Sequence, residues 1–100
     1  MVYKNEQGQL HRVDGPAVVE GNGFFQMWYL NGERHRTDGP AVEYTDGYLE
    51  WWINGKRHRV GGPAVIWEDG TQEWWIDGQQ LTQFEHWVLT STKATVYDID

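Results

Sequence analysis

Cysteine is missing from this chain altogether. No disulfide staples the fold and no thiolate is available to hold a metal. A long apolar run is missing too. The chain opens Met1-Val2-Tyr3-Lys4-Asn5, and nothing behind it reads as a secretory leader or a membrane span. A cytoplasmic protein is the expectation. Basic residues are scarce, eight against fifteen acids, and the resulting net charge of −7 disfavours wholesale nucleic-acid binding and membrane attachment. With 100 residues the chain has room for one domain and one modest core. What it has in excess is tryptophan. Its seven indole rings must pack against one another or against a partner.

All three prolines fall in one phrase that recurs: His11-Arg12-Val13-Asp14-Gly15-Pro16-Ala17, His35-Arg36-Thr37-Asp38-Gly39-Pro40-Ala41 and His58-Arg59-Val60-Gly61-Gly62-Pro63-Ala64. The copies start 24 and then 23 residues apart, a period that marks a chain built from one supersecondary unit. Between copies, two segments read as strands, rich in β-branched and aromatic residues. One follows the proline: Ala17 to Glu20, Ala41 to Tyr44, Ala64 to Trp67. The other spans Gln26 to Leu30, Leu49 to Ile53 and Gln72 to Ile76. Asp46-Gly47 and Asp69-Gly70 join the first to the second and carry the type I′ hairpin signal. Gly21-Asn22-Gly23 does the same with one residue more. Asn31-Gly32, Asn54-Gly55 and Asp77-Gly78 turn the chain back. Proline cannot donate to a ladder, so the Gly-Pro step is read as a kink within one bent strand.

The predicted fold is all-β: an antiparallel meander of tandem hairpin repeats with a short C-terminal capping helix. The chain forms a single domain over residues 1–100. A partial repeat covers 1–10, where Tyr3, Asn5 and Gly8 echo Trp52, Asn54 and Gly55. Full repeats cover 8–31, 32–54 and 55–77, and the helix and tail cover 78–100. Thr82-Gln83-Phe84-Glu85 has the form of a capping box, and Phe84, Trp87 and Val88 follow at helical spacing. The helix, over about residues 83–90, is expected to cover the apolar face of the last hairpin, as terminal caps do. Val96 to Asp100 alternates, as an edge strand or a loose acidic tail would. Period-two alternation puts Trp28, Leu30, Trp51, Ile53, Trp74 and Ile76 on one face, read as core. Tyr29, Trp52 and Trp75 point to the other, half-exposed and interleaved with acids.

The aromatic-x-Asn-Gly, Asp-Gly and Trp-Trp elements of this unit, over roughly residues 3–81, resemble a divergent MORN repeat. His-Arg-x-Asp-Gly-Pro-Ala resembles, more closely, a variant found in small proteins of tailed phages and giant viruses. The resemblance implies a repeated hairpin sheet with no enzyme site. MORN repeats are associated with membrane attachment and scaffolding, but the His-Arg phrase here replaces their usual glycine-tyrosine pattern. By analogy with small acidic phage proteins, the resemblance implies a module that binds and inhibits a host protein, such as a defence protein, in the host cytoplasm.

Three histidines in register invite a metal site. Equivalent residues of successive hairpins, however, lie two strands apart, about 9–10 Å, whereas zinc takes its nitrogens at about 2.0–2.1 Å. No metal or other cofactor is expected. No serine or cysteine nucleophile accompanies each His-Asp pair, and no phosphate loop is present, so no catalytic residues are assigned. The histidine and aspartate are read as hydrogen-bonding the bend, and Gly61 shows that the aspartate is dispensable. Arg12, Arg34, Arg36, Lys56, Arg57 and Arg59 make up six of the eight basic residues. Stacking the units lines them up beside the rings. The candidate partner-binding residues are therefore Tyr29, Trp52, Trp75, Arg34, Arg36, Arg57 and Arg59, residue types that dominate interface hot spots. A nucleotide or single strand clamped by the same stripe is the alternative, and edge-to-edge self-association of the meander a third.

Overall fold

A computed structural model describes residues 1–91. The alternating stretch at Val96 to Asp100 lies outside the described residues. Eleven short strands precede one helix: β1 (Val18–Glu20), β2 (Phe25–Met27), β3 (Tyr29–Leu30), β4 (Glu33–Arg34), β5 (Val42–Tyr44), β6 (Leu49–Glu50), β7 (Trp52–Ile53), β8 (Lys56–Arg57), β9 (Val65–Ile66), β10 (Gln72–Ile76), β11 (Gln79–Leu81) and α1 (Gln83–Thr90). Every pairing is antiparallel. The main sheet runs β1-β2-β5-β6-β9-β10-β11, and β3-β4 and β7-β8 form separate hairpins. The long strand of each unit belongs to both rows of hairpins. Its first half pairs within the main sheet, as Met27 does with Val18 and Val42. Its second half pairs with the strand after the Asn-Gly turn, as Tyr29 does with Arg34 and Trp52 with Arg57. Neighbouring hairpins of the second row are stitched together by two bonds each, Gly55 N–H to Arg34 O (2.9 Å) and Arg36 N–H to Trp52 O (3.1 Å) in the middle unit. The N-terminal partial unit joins the same pattern through the Val2–Val18 and Lys4–Leu10 bridges.

The turns divide differently from the sequence expectation. Asn31-Gly32, Asn54-Gly55 and Asp77-Gly78 have positive φ at both residues, 47–48° and then 79–85°, and these are the type I′ turns. At Asp46-Gly47 and Asp69-Gly70 only the glycine is left-handed, with φ of 104° and 89°. Those are three-residue loops, closed by Gly47 N–H to Tyr44 O and Tyr44 N–H to Tyr48 O. The aspartate side chain accepts the next strand's first N–H, at 3.0 Å from Tyr48 and 2.9 Å from Thr71. This bond fixes a local turn and needs no positive φ at the aspartate. The bent-strand expectation is also corrected. Thr37 to Pro40 leaves the ladder as a loop, so the ribbon is broken at the phrase rather than kinked.

The described residues span 54 × 32 × 19 Å, the thinness of a single sheet. Neither face is a conventional core. The fully buried side chains are Ala17, Ala41 and Ala64 at the joints, with Val42 and Val65 between them. Register places Val42, Glu50 and Val65 directly opposite one another, on the face of Tyr29, Trp52 and Trp75. The face assignment changes in part. Trp28, Trp51 and Trp74, read as core, are only half-buried, as Tyr29, Trp52 and Trp75 are, and the deeply buried side chains Val42, Glu50 and Val65 lie on the second face. The reason is lateral cover. Aromatic rings flank the valine row on both sides, whereas Trp28 and Trp51 are covered by one arginine each.

Helix α1 starts with the expected capping box. Glu85 N–H donates to Thr82 Oγ1 (3.0 Å) and Thr82 N–H to Glu85 Oε1 (2.9 Å). It packs on β10 and β11 as a cap, but not through its aromatics. Phe84, Trp87 and Leu89 are 70%, 56% and 65% exposed. The docking side chain is His86, which is buried and donates Nε2–H to the Arg59 carbonyl at 2.7 Å. A buried carbonyl must find a donor, and His86 meets the one at the last joint.

Candidate functional site: a ladder of arginines and rings

The recurring phrase is a joint, and each of its residues has a mechanical task. The histidine Nδ1 accepts the backbone N–H of the following turn: Asn31 to His11 (2.9 Å), Asn54 to His35 and Asp77 to His58 (both 3.0 Å). The histidine thus reaches the next unit's turn and not its own bend. The arginine folds back over the aromatic ring of the long strand, with its carbon 4.1 Å from the Tyr3 centroid for Arg12, 3.9 Å from Trp28 for Arg36 and 3.8 Å from Trp51 for Arg59. Its Nη1 donates to the carbonyl of Pro16, Pro40 or Pro63 at 3.1–3.3 Å. The glycine before each proline lies under that guanidinium. A Cβ there would approach the arginine to 2.8 Å at Gly15, 2.9 Å at Gly39 and 3.1 Å at Gly62. The alanine that ends each phrase is wholly buried.

The aspartate is an auxiliary. Arg36 Nε reaches Asp38 at 2.8 Å and holds its carboxyl below the usual value. This contribution is therefore present above that value and is lost as the pH falls. Gly61 replaces the aspartate in the third copy, and burial lowers the Arg59 pKa from its usual value. Among the described residues no three histidines or acids converge as metal ligands.

The seven predicted residues separate into two sets. Tyr29, Arg34, Trp52, Arg57 and Trp75 come together as one alternating ladder across three units. Arg34 lies 5.8 Å from the Tyr29 centroid and 5.1 Å from that of Trp52, and Arg57 lies 5.3 Å from Trp52 and 5.0 Å from Trp75. Arg36 and Arg59 stack on Trp28 and Trp51, whose alternation puts them on the opposite face. Strand β8 ends at Arg57, and two arginines two residues apart stack on rings of different sides.

Glu50, one of the acids interleaved with the Tyr29, Trp52 and Trp75 row, proves central. It is 5% exposed and accepts from Trp52 Nε1 (2.7 Å), Arg57 Nη2 (3.2 Å) and the Tyr48 hydroxyl. Burial, followed by the Glu50 carboxylate, pushes the Tyr48 hydroxyl up, which keeps it a donor. Glu73 repeats the pattern one unit on, accepting from Trp75 Nε1 and Trp67 Nε1, both at 2.9 Å. The available signal was an acid two residues before a tryptophan in two copies. In the first unit Met27 takes this position, and Arg34 Nε donates instead to the Tyr29 hydroxyl at 3.1 Å. Among the described residues no carboxylate is within ion-pair range of Arg34, whereas Arg57 is neutralised by Glu50.

Fold and site together define a β-hairpin repeat protein with a preorganised cationic-aromatic surface. Compared with protein-family models, with curated proteins and with solved structures, the chain has no match. Among the described residues no helix is long and apolar enough to cross a membrane.

Proposed function

We propose that this chain is a non-enzymatic binding module that docks a partner protein on the Tyr29–Arg34–Trp52–Arg57–Trp75 ladder. The observation that carries the reading is the alternation of guanidinium and ring over three units, anchored by Glu50. Side chains held in place before binding lose little entropy on docking, and tryptophan, tyrosine and arginine are the residues that dominate hot spots. Arg34, which has no carboxylate within ion-pair range among the described residues, would receive a carboxylate of the partner. On the resemblance to the phage repeat variant, that partner is a host protein, which the module blocks in the cytoplasm. Stacking of nucleotide bases is the less favoured use of this surface. The ring faces are already occupied by guanidinium groups, and Glu50 and Glu73 lie beside them.

Affinity capture from host-cell extract, with the wild-type chain and Arg34→Glu side by side, tests this reading. The variant is expected to keep its melting temperature within a few degrees and to lose the partner, since reversing a charge at a matched position costs binding several-fold or more. A partner retained equally by both chains removes the ladder as the interface.

A further inference from the structure

The opposite end of the same face carries a second aromatic row, at the three-residue loops. Phe25 stacks on Tyr44 at 5.1 Å, Tyr44 meets Tyr48 at 5.7 Å and 72°, and Tyr48 meets Trp67 at 5.0 Å and 53°. The steep angles make Tyr44, Tyr48 and Trp67 the walls of a recess rather than a stack. The recess holds about 220 Å³, and Asp46 and Glu68 complete its lining. Its walls are fixed from behind: Tyr48 by its bond to Glu50 and Trp67 by its bond to Glu73. A tryptophan left 42% exposed is thus held in one orientation. The two carboxyls are within hydrogen-bonding reach of each other, and this proximity raises Glu68 above its usual value.

We propose that this recess binds an N-methylated ammonium group, such as a methylated lysine side chain or a choline-type head. Ring faces attract a cation and the two carboxylates add to that field. The three ring walls present faces rather than free acceptors, since the Tyr48 hydroxyl is committed to Glu50 and Trp67 Nε1 to Glu73, and the Asp46 carboxylate at the rim already accepts the Tyr48 N–H. A bare ammonium would lose hydration that aromatic carbons cannot replace. A methylated one is weakly hydrated and presents methyl groups to the rings. Only two carboxylates converge, and among the described residues no group of three could hold a metal ion. The recess lining shares no residue with the five ladder residues, although Glu50 supports both, and its binding is read with probes that do not involve the proposed protein interface.

The test is a nuclear magnetic resonance titration read at the Gly47 and Gly70 amides, the two loop glycines that bracket the recess. Three probes are used: a short peptide with one trimethyl-lysine, the same peptide unmodified, and choline. Saturable shifts with the trimethyl-lysine peptide or with choline are expected, with whichever binds more tightly identifying the source of the group. Binding is expected to weaken about tenfold in Trp67→Ala, the scale of one cation–π wall. A smaller loss is expected in Glu68→Gln, whose exposed position leaves the fold intact. Equal affinity for the unmodified peptide overturns the methyl selectivity. Absence of saturation with both methylated probes, or affinity unchanged in both variants, overturns the site.

Discussion

Replacing Glu50 with alanine is expected to lower the stability of the fold by about 3–5 kcal/mol, the scale of breaking a buried ion pair from one side. The carboxylate is the meeting point of three donors from three positions, Tyr48, Trp52 and Arg57. Without it the Arg57 guanidinium loses its counter-charge, and its Nε already has no partner. The Trp52 N–H and Tyr48 hydroxyl lose their acceptor as well, and that loss is part of the same figure. Arg57 is 31% exposed, so solvent relieves part of its share and places the total near the lower end of the range. The first unit shows how the position works without a charge. It uses Met27 with Tyr29, whose hydroxyl takes the arginine. The triple change Tyr48→Phe, Glu50→Met and Trp52→Tyr copies the Phe25, Met27 and Tyr29 arrangement and is expected to recover much of the loss. Chemical denaturation of the three chains measures both effects. Equal stability of Glu50→Ala and wild type would mean that the carboxylate is not the anchor described.

Arg36→Ala is expected to cost about 2–3 kcal/mol, well beyond the usual effect of removing a surface charge. Its side chain is only 19% exposed. The guanidinium covers Trp28 at 3.9 Å and bonds the Pro40 carbonyl and Glu43, both at 3.1 Å. The alanine variant leaves the ring uncovered and the loop carbonyl without its donor. Lysine keeps the charge but not the flat fork that stacks and donates at once, so Arg36→Lys is expected to recover only a minority of the loss. Thermal unfolding separates the cases. At about 4–8 °C per kcal/mol for a chain of this size, the alanine variant falls by well over 8 °C.

Much of this fold was legible in the sequence because its signals are local. The period, the Asn-Gly turns, the strands and the Thr82–Glu85 capping box each depend on residues within a few positions of one another. The face assignment was not legible, because alternation identifies which side chains share a face and not what covers it. Trp28 and Glu50 were ranked by polarity, yet three donors close over the acid while a single arginine covers the ring. The split between Arg57 and Arg59 was hidden for a related reason. Period two holds only while the strand runs straight, and β8 ends at Arg57, before Arg59. The docking role of His86 carried no local signal either, since its partner, the Arg59 carbonyl, is 27 residues away. The ladder itself was half-readable: its five members were named, together with two arginines that belong to the joints.

The joint is the central claim, and a comparison of two glycine substitutions tests it most directly. In Gly39→Ala the new methyl group meets the Arg36 guanidinium at 2.9 Å and displaces it, whereas in Gly61→Ala nothing lies within 4 Å. Gly61 also has an ordinary backbone conformation, so alanine there is expected to stabilise by about 0.4–1 kcal/mol through the unfolded chain. The predicted result is a melting temperature lowered by about 4–8 °C in the first variant, the scale of a partly unseated arginine, and unchanged or raised in the second. Equal melting temperatures in the two variants would contradict the account, because the arginine would then not be seated on the glycine and the phrase would not be the joint that holds the repeats together.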